Sequence, residues 1–307
     1  MKIHVRVPAT TANLGPGFDA LGLALDLWNE AVFESKDRGD PHITLTMEGE
    51  GADILPADAG NPIAEAALQI HKLIQRPVGA FHVHCVNRIP PGSGLGSSSA
   101  AMLTGMLGAN VLLGKPFSDE EILKLAIETE EHPDNVAPAM LGGLVASIVY
   151  GGRVISIKLP ALARRKPIHA TVVFPDFDFP TRQARAILPH QVSRGDAIYN
   201  ISRAVMVTEA LRTGDLDLLG KAMTDRLHQP YRIPLIPGAQ AAMEAAHRAG
   251  AQAVALSGAG PSLIAFTAKR DDIIGTAMRC AFENAGMRAR VFNLVPTSEG
   301  ASAVESA

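Results

Sequence analysis

Apolar residues recur at every second position from Ile3 through Val5 to Val7, the period of a strand with one face buried. Residues 9–22 then crowd Thr, Asn, Gly and Pro together, predicting a structured loop before the apolar pattern resumes over Leu21 to Leu27. Between 62 and 75 the spacing becomes helical, with Ile63, Ala66, Ala67, Ile70, Leu73 and Ile74 on one face and Pro62 suited to the first turn. Phe81, Val83 and Cys85 alternate with His82, His84 and Val86, so a strand runs to the Pro90-Pro91 stop. A glycine-rich turn and a largely apolar helix over 98–113 follow, with Met102 and Met106 as core filler. Ser118 and Glu121 carry the spacing of a capping box for a helix that holds Ile122, Leu125 and Ala126 and runs towards Glu131, with Pro133 ending it or lying just beyond.

Leu144 to Tyr150 and Val154 to Leu159 flank Gly151-Gly152 and read as a hairpin. The stretch 160–167, rich in Ala, Arg, Lys and Pro, is the expected boundary between two lobes, 1–160 and 161–307. A second set of elements follows: strand 169–174, helices 181–188, 196–213, 215–227 and 238–249, strands 252–256 and 262–267, helix 271–285 and strand 288–294. The tail from Thr297 to Ala307 is small and polar and is expected to fray.

Composition narrows the function classes. Twenty-eight Lys and Arg against 31 Asp and Glu leave a net charge of -3, so no broad basic field exists to attract nucleic acid or an anionic membrane. An anionic ligand therefore needs local donors. Only Cys85 and Cys280 occur and the start lacks an apolar signal region, which points to a reduced, cytoplasmic protein. No apolar run approaches the roughly 18–20 residues that span a bilayer, since Thr104, Gly105, Gly108 and Asn110 interrupt even the segment 100–113. His82 and His84 form a pair on one strand face, but without further ligands at recognisable spacing they read as a polar sheet face.

The chemistry concentrates in Pro90-Pro91-Gly92-Ser93-Gly94-Leu95-Gly96-Ser97-Ser98-Ser99-Ala100, between a strand and a helix. Alternate glycines let backbone N–H groups turn inward together, and the first amides of the following helix lack intrahelical partners. Such a concavity at the positive end of a helix suits a polyphosphate. It is not a Walker loop, which ends in Gly-Lys-Ser/Thr, nor the dinucleotide fingerprint, because the third glycine is replaced by Ser97.

Pro-x-x-x-Gly-Leu-Gly-Ser-Ser-Ser-Ala resembles the phosphate loop of the GHMP kinases. Two other motifs agree in order and spacing, Pro8-Ala9-Thr10-Thr11-Ala12-Asn13-Leu14-Gly15-Pro16-Gly17-Phe18-Asp19 and Ser257-Gly258-Ala259-Gly260-Pro261-Ser262. Within that family, the opening motif and His132-Pro133-Asp134-Asn135-Val136-Ala137-Pro138 are similar to the homoserine-phosphorylating branch. The resemblance implies an α+β fold with an N-terminal lobe like domain 2 of ribosomal protein S5 and a ferredoxin-like C-terminal lobe. It also implies ATP and Mg²⁺ as cofactors, L-homoserine as substrate, no nucleic acid or membrane partner, and a homodimer.

The same resemblance assigns roles by residue. Residues Pro90 to Ala100 hold the phosphates and Asn61 the adenine, while Ser98 and Glu128 bind the metal; the residues alone do not separate Glu128 from Glu130 and Glu131. A zwitterionic substrate needs an anion for its ammonium and a bidentate cation for its carboxylate. Asp19 with Asn13 fills the first need and Arg185 with Arg232 the second, with Arg182 as an alternative to Arg185. Gly258 and His132 complete the substrate site, and Asp134, Asn135 and Thr181 lie nearest the chemistry. Asp134 is the candidate general base, although the alcohol proton could pass directly to a phosphate oxygen.

Overall fold

The alternation at the start forms β1 (Lys2–Ala12), paired along its length with antiparallel β2 (Leu21–Ser35). The computed structural model describes residues 1–35, 43–76, 79–160 and 167–306. β3 (Ile43–Gly49) escapes the sequence pattern, although it buries Ile43 and Leu45 and turns Thr46 outward. It crosses over through α1 (Pro62–Leu73) to a parallel pairing with β4 (Phe81–Asn87), and β4 lies against the second half of β2. On β4's outer face, His82 and His84 bond to Thr44 and Thr46, as expected of a polar face. Among the described residues no group of three His, Cys, Asp or Glu side chains could hold a metal.

α2 (Ser97–Leu112) is apolar on nearly every face because it is buried nearly all round, and Met102 and Met106 are indeed core residues. α3 (Asp119–Glu130) starts at the expected capping box. Glu131, in the left-handed region at φ 70°, ends it. Pro133 lies just beyond that helix, one of the two placements expected, and opens a new one, α4 (Pro133–Leu141), where a residue without an N–H costs no hydrogen bond. The hairpin β5 (Leu144–Tyr150) and β6 (Arg153–Leu159) joins the first half of β2.

The expected boundary at 160–167 falls largely on residues outside the described set, 161–166. Beyond it come β7 (His169–Pro175), α5 (Thr181–Ala186) and α6 (Arg194–Thr213). The helix expected over 215–227 is shorter, α7 (Leu216–Ala222). Asp225 accepts hydrogen bonds from the amides of Leu227, His228 and Gln229, so the chain turns there instead and enters α8 (Gln229–Arg232). α9 (Ala239–Arg248), β8 (Ala253–Leu256), β9 (Leu263–Thr267), α10 (Asp272–Asn284) and β10 (Ala289–Leu294) complete an antiparallel sheet in the order β10-β7-β9-β8. Two β-α-β units with the last strand beside the first make this lobe ferredoxin-like.

The tail does not fray. Residues 302–305 form β11 (Ser302–Glu305), antiparallel to β1 from Ile3↔Glu305 to Arg6↔Ser302. Its stability comes from backbone bonds to an otherwise unpaired strand edge, which side-chain periodicity does not reveal. These residues therefore belong to the first sheet, contrary to the expected split at 160. No helix among the described residues is long and apolar enough to cross a membrane.

Candidate active site

The loop between β4 and α2 is pressed between two other motifs. Gly94 and Gly96 have φ of 76° and 72°, and a Cβ on Gly96 would lie 2.0 Å from Thr10 Oγ1, one on Gly94 2.4 Å from the Ser257 carbonyl oxygen. Only glycine fits that sandwich. Ser257 Oγ donates to the Gly94 carbonyl at 2.7 Å, so the third motif does fold onto the first loop. Gly96 caps α2 with no side-chain bond, which leaves the helix's first amides facing the cleft.

That cleft, of about 850 Å³, has Gly92, Gly94, Gly96, Ser97, Ser98 and Ser99 at one end. Asn13, His132, Asp134, Asn135, Thr181, Arg185, Arg232 and Gly258 line the rest of it, Asn135 beside Gly96 and Gly258 beside Gly94. Arg182 is exposed and lies outside it. Pro90, Ser93, Leu95 and Ala100 are buried and line neither this cleft nor the cavity beside it; they shape the loop. A neighbouring cavity shares Ser97 and Ser98 and is walled by Pro91 and Asn61. Asn61 is spent on the chain itself: its Oδ1 caps α1 by accepting from the Ile63 amide, and its Nδ2 donates to the Pro56 carbonyl.

The structure sets a different carboxylate beside Ser98 from the Glu128 that the resemblance implies. Ser98 Oγ donates to Glu130 Oε2 at 3.1 Å at the cleft's edge. Glu128 instead points away, 60% exposed, towards Lys124 at 3.8 Å. Two helix positions differ by about 200° in direction, so α3 can aim only one of the two carboxylates at α2. The Ser98 hydroxyl and Glu130 carboxylate are the hard oxygen donors Mg²⁺ prefers, and they fit it.

Beside the cleft, Arg185 makes two hydrogen bonds to Asp19, at 3.0 and 2.8 Å. Asn13 accepts from the Asp19 amide and donates to the Gly258 carbonyl at 2.8 Å, tying two motifs together. Arg232 is only 1% exposed; its Nε donates to the Ala184 carbonyl, and burial lowers its pKa to about 10, still cationic at neutrality. Asp134, buried near the start of α4, is pushed up to about 7 by burial and then by the charge of Asp19, against the pull of Arg185 and Arg232. Burial followed by the Arg185 charge holds the nearby His132 below its ordinary value.

Thr10 was missed by the sequence reading as a site residue. Its hydroxyl donates to Asn135 Oδ1 at 2.8 Å and so turns the Asn135 amide nitrogen away from Thr10. No periodicity marks this, because Thr10 is one of two buried threonines ending an apolar strand.

Residues 61–143 match the model of the GHMP kinases N-terminal domain and 207–284 that of the GHMP kinases C-terminal domain. A homoserine kinase of Moorella thermoacetica is 46% identical over 300 residues, covering 97% of this chain and 98% of the relative. The chain belongs to the GHMP kinase family. Among solved members, the homoserine kinase of Cytophaga hutchinsonii superposes with a TM-score of 0.86 at 31% identity, over 99% of this chain and 97% of that one. The Methanococcus jannaschii mevalonate kinase shares the fold at 14% identity, with a TM-score of 0.67 over 95% of this chain and 98% of that one. Both family models contribute to the cleft, the N-terminal one Gly92, Gly94, Gly96, Ser97 to Ser99, Glu130, His132, Asp134 and Asn135, the C-terminal one Arg232 and Gly258 to Gly260.

Proposed function

We infer that this chain is a homoserine kinase of the cytoplasm, moving the γ-phosphoryl group of ATP to the side-chain hydroxyl of L-homoserine and so serving threonine biosynthesis. One observation carries the substrate assignment: a single cleft holds an uncapped helix start behind a glycine loop at one end and two arginines with an aspartate at the other. Phosphate recognition and amino-acid recognition thus share one cavity.

In this reading the α2 amides and the hydroxyls of Ser97 to Ser99 bind the triphosphate. Ser98 and Glu130 would hold Mg²⁺, which when bound offsets negative charge on the phosphates. Arg232 and Arg185 orient the substrate carboxylate and Asp19 its ammonium, which brings the hydroxyl towards Asp134. The hydroxyl oxygen bonds to the γ-phosphorus as the bond to the ADP oxygen breaks, and Asp134 accepts the hydroxyl proton. A carboxyl that titrates near 7 is suited to taking and returning that proton at neutral pH. Thr10 and Asn135 hold the amide beside it, and Thr181 at the start of α5 closes the hydroxyl end.

The test is release of ADP from MgATP in the presence of homoserine, mevalonate or galactose. Turnover with homoserine alone is expected. Turnover with mevalonate and none with homoserine would replace the substrate, and none with any of the three would remove the kinase reading.

A further inference from the structure

Beneath the substrate end lies a buried imidazole to which no role has been given. His228 has no solvent exposure and stands where the loop after β1, the Phe18 ring and α8 meet. Its Nε2 is 2.8 Å from the Gly15 carbonyl oxygen, and that acceptor requires a ring N–H, so the proton is assigned to Nε2. Asp225 Oδ2, 3.6 Å from the same nitrogen, is too distant to compete and already accepts from the amides of His228 and Gln229. The neutral ring then presents a bare Nδ1, and Arg232 Nη1 lies 3.3 Å from it. Because a guanidinium only donates, the pairing has one chemical sense.

The ring also stacks on Phe18, with centroids 5.1 Å apart and planes 22° from parallel. The guanidinium carbons of Arg232 and Arg185 stand 5.3 and 5.7 Å from the Phe18 centroid. Hence one imidazole touches the backbone of the Asn13–Asp19 loop, the aromatic ring beneath both arginines, and one of those arginines directly.

We propose that His228 is a positioning residue for the carboxylate clamp: as the neutral Nε2–H tautomer it aims Arg232 through Nδ1 and holds the Asn13–Asp19 loop in register through Gly15 and Phe18. This rests on the homoserine kinase reading. The charged groups around the ring are Asp225, Arg232 and Asp19; burial and Arg232 depress its basicity while the two carboxylates oppose them, and the ring stays neutral at pH 7. Protonation would point an N–H at Arg232 and abolish the contact.

Two substitutions divide the ring's functions. His228→Asn keeps an acceptor near the Nδ1 position, whereas His228→Gln reaches towards Gly15 with its amide nitrogen and offers Arg232 nothing. The expected result for His228→Gln is a KM for homoserine raised about tenfold or more, the loss of one hydrogen bond to a charged group. Its preference for homoserine over aminopropanol, the same amino alcohol without the carboxylate, should fall by a similar factor, while the KM for ATP stays within about twofold. His228→Asn should recover most of that preference. Equal losses for both variants, with the homoserine preference intact, would reduce His228 to a packing residue and overturn the proposal.

Nitrogen NMR of the wild-type protein with labelled histidine gives a second readout independent of whether the variants fold. A neutral Nε2–H ring at pH 7 whose Nδ1 signal moves on adding homoserine supports the proposal; a charged ring or the other tautomer sinks it. Wild-type enzyme that fails to phosphorylate homoserine defeats the functional reading instead, a separate outcome from an active enzyme whose His228→Gln form keeps its selectivity.

Discussion

Asp19 and Arg185 grip each other through two hydrogen bonds, 2.8 and 3.0 Å long, joining the loop after β1 to α5 across the cleft. The sequence reading assigned them separately to the ammonium and the carboxylate of the substrate, and the structure pairs them. A zwitterion placed beside such a pair can satisfy both charges without either being left alone, which costs less reorganisation than meeting two free side chains. Asp19→Asn should therefore raise the KM for homoserine by about 10- to 100-fold, the range for losing a charge-assisted hydrogen bond, with the KM for ATP little changed. Steady-state kinetics with each substrate varied in turn checks this, and equal rises in both constants would argue for a collapsed cleft.

The Ser98–Glu130 contact makes a prediction that separates neighbouring carboxylates. Glu130→Gln should lower kcat by about 100-fold or more and shift the Mg²⁺ dependence to higher concentration, whereas Glu128→Gln, altering an exposed pair with Lys124, should stay within about twofold of wild type. A magnesium titration of both variants decides it. The reverse ranking would restore Glu128.

Asp134 links activity and stability to pH. Burial lifts its folded-state pKa to about 7 from the ordinary aspartate value of 3.8, so the folded protein binds the proton more tightly. That contribution to stability is fully present below about pH 4 and is lost as pH rises through about 7. Asp134→Asn should flatten the decline in stability between those values, seen in urea melts at several pH values. The base role requires the ionised form, so log kcat/KM of wild type should climb to a plateau above about pH 7, a limb that the variant lacks along with most of its turnover.

The C-terminal strand predicts a stability effect far from the chemistry. Removing residues 302–307 strips the backbone partners from Ile3 to Arg6 and bares the β1 edge. A melting temperature lower by at least about 3 °C is expected, corresponding to a loss of about 1 kcal/mol or more in a chain of this size. An unchanged melt would make β11 an ornament of the sheet.

The parts of this molecule that were legible in the sequence are those where side-chain pattern and backbone state coincide. The capping box at Ser118, the hairpin around Gly151-Gly152 and the strand-loop-helix at 81–113 all carry local signals of their own. β3 was missed because only its first half is buried, and β11 because its residues are small and polar and it adds to the sheet chiefly through backbone bonds. In the site, the family resemblance pointed to Arg185 and Arg232 beside Asp19, yet not to their pairings, since those depend on which lobe faces which. Glu128 and Glu130 differ by phase along one helix, and which of them stands beside Ser98 depends on where α2 lies. His228 gave no signal because its work is done by both ring nitrogens inside the protein.

The central claim is that amides at the start of α2, behind Gly94 and Gly96, grip the nucleotide without a lysine while both arginines take the substrate carboxylate. A crystal grown with a magnesium complex of a non-hydrolysable ATP analogue and homoserine tests it most directly. The account predicts triphosphate density against residues 92–99 and the homoserine carboxylate against Arg185 and Arg232. A triphosphate bound anywhere else, with that helix start facing only water, would contradict it.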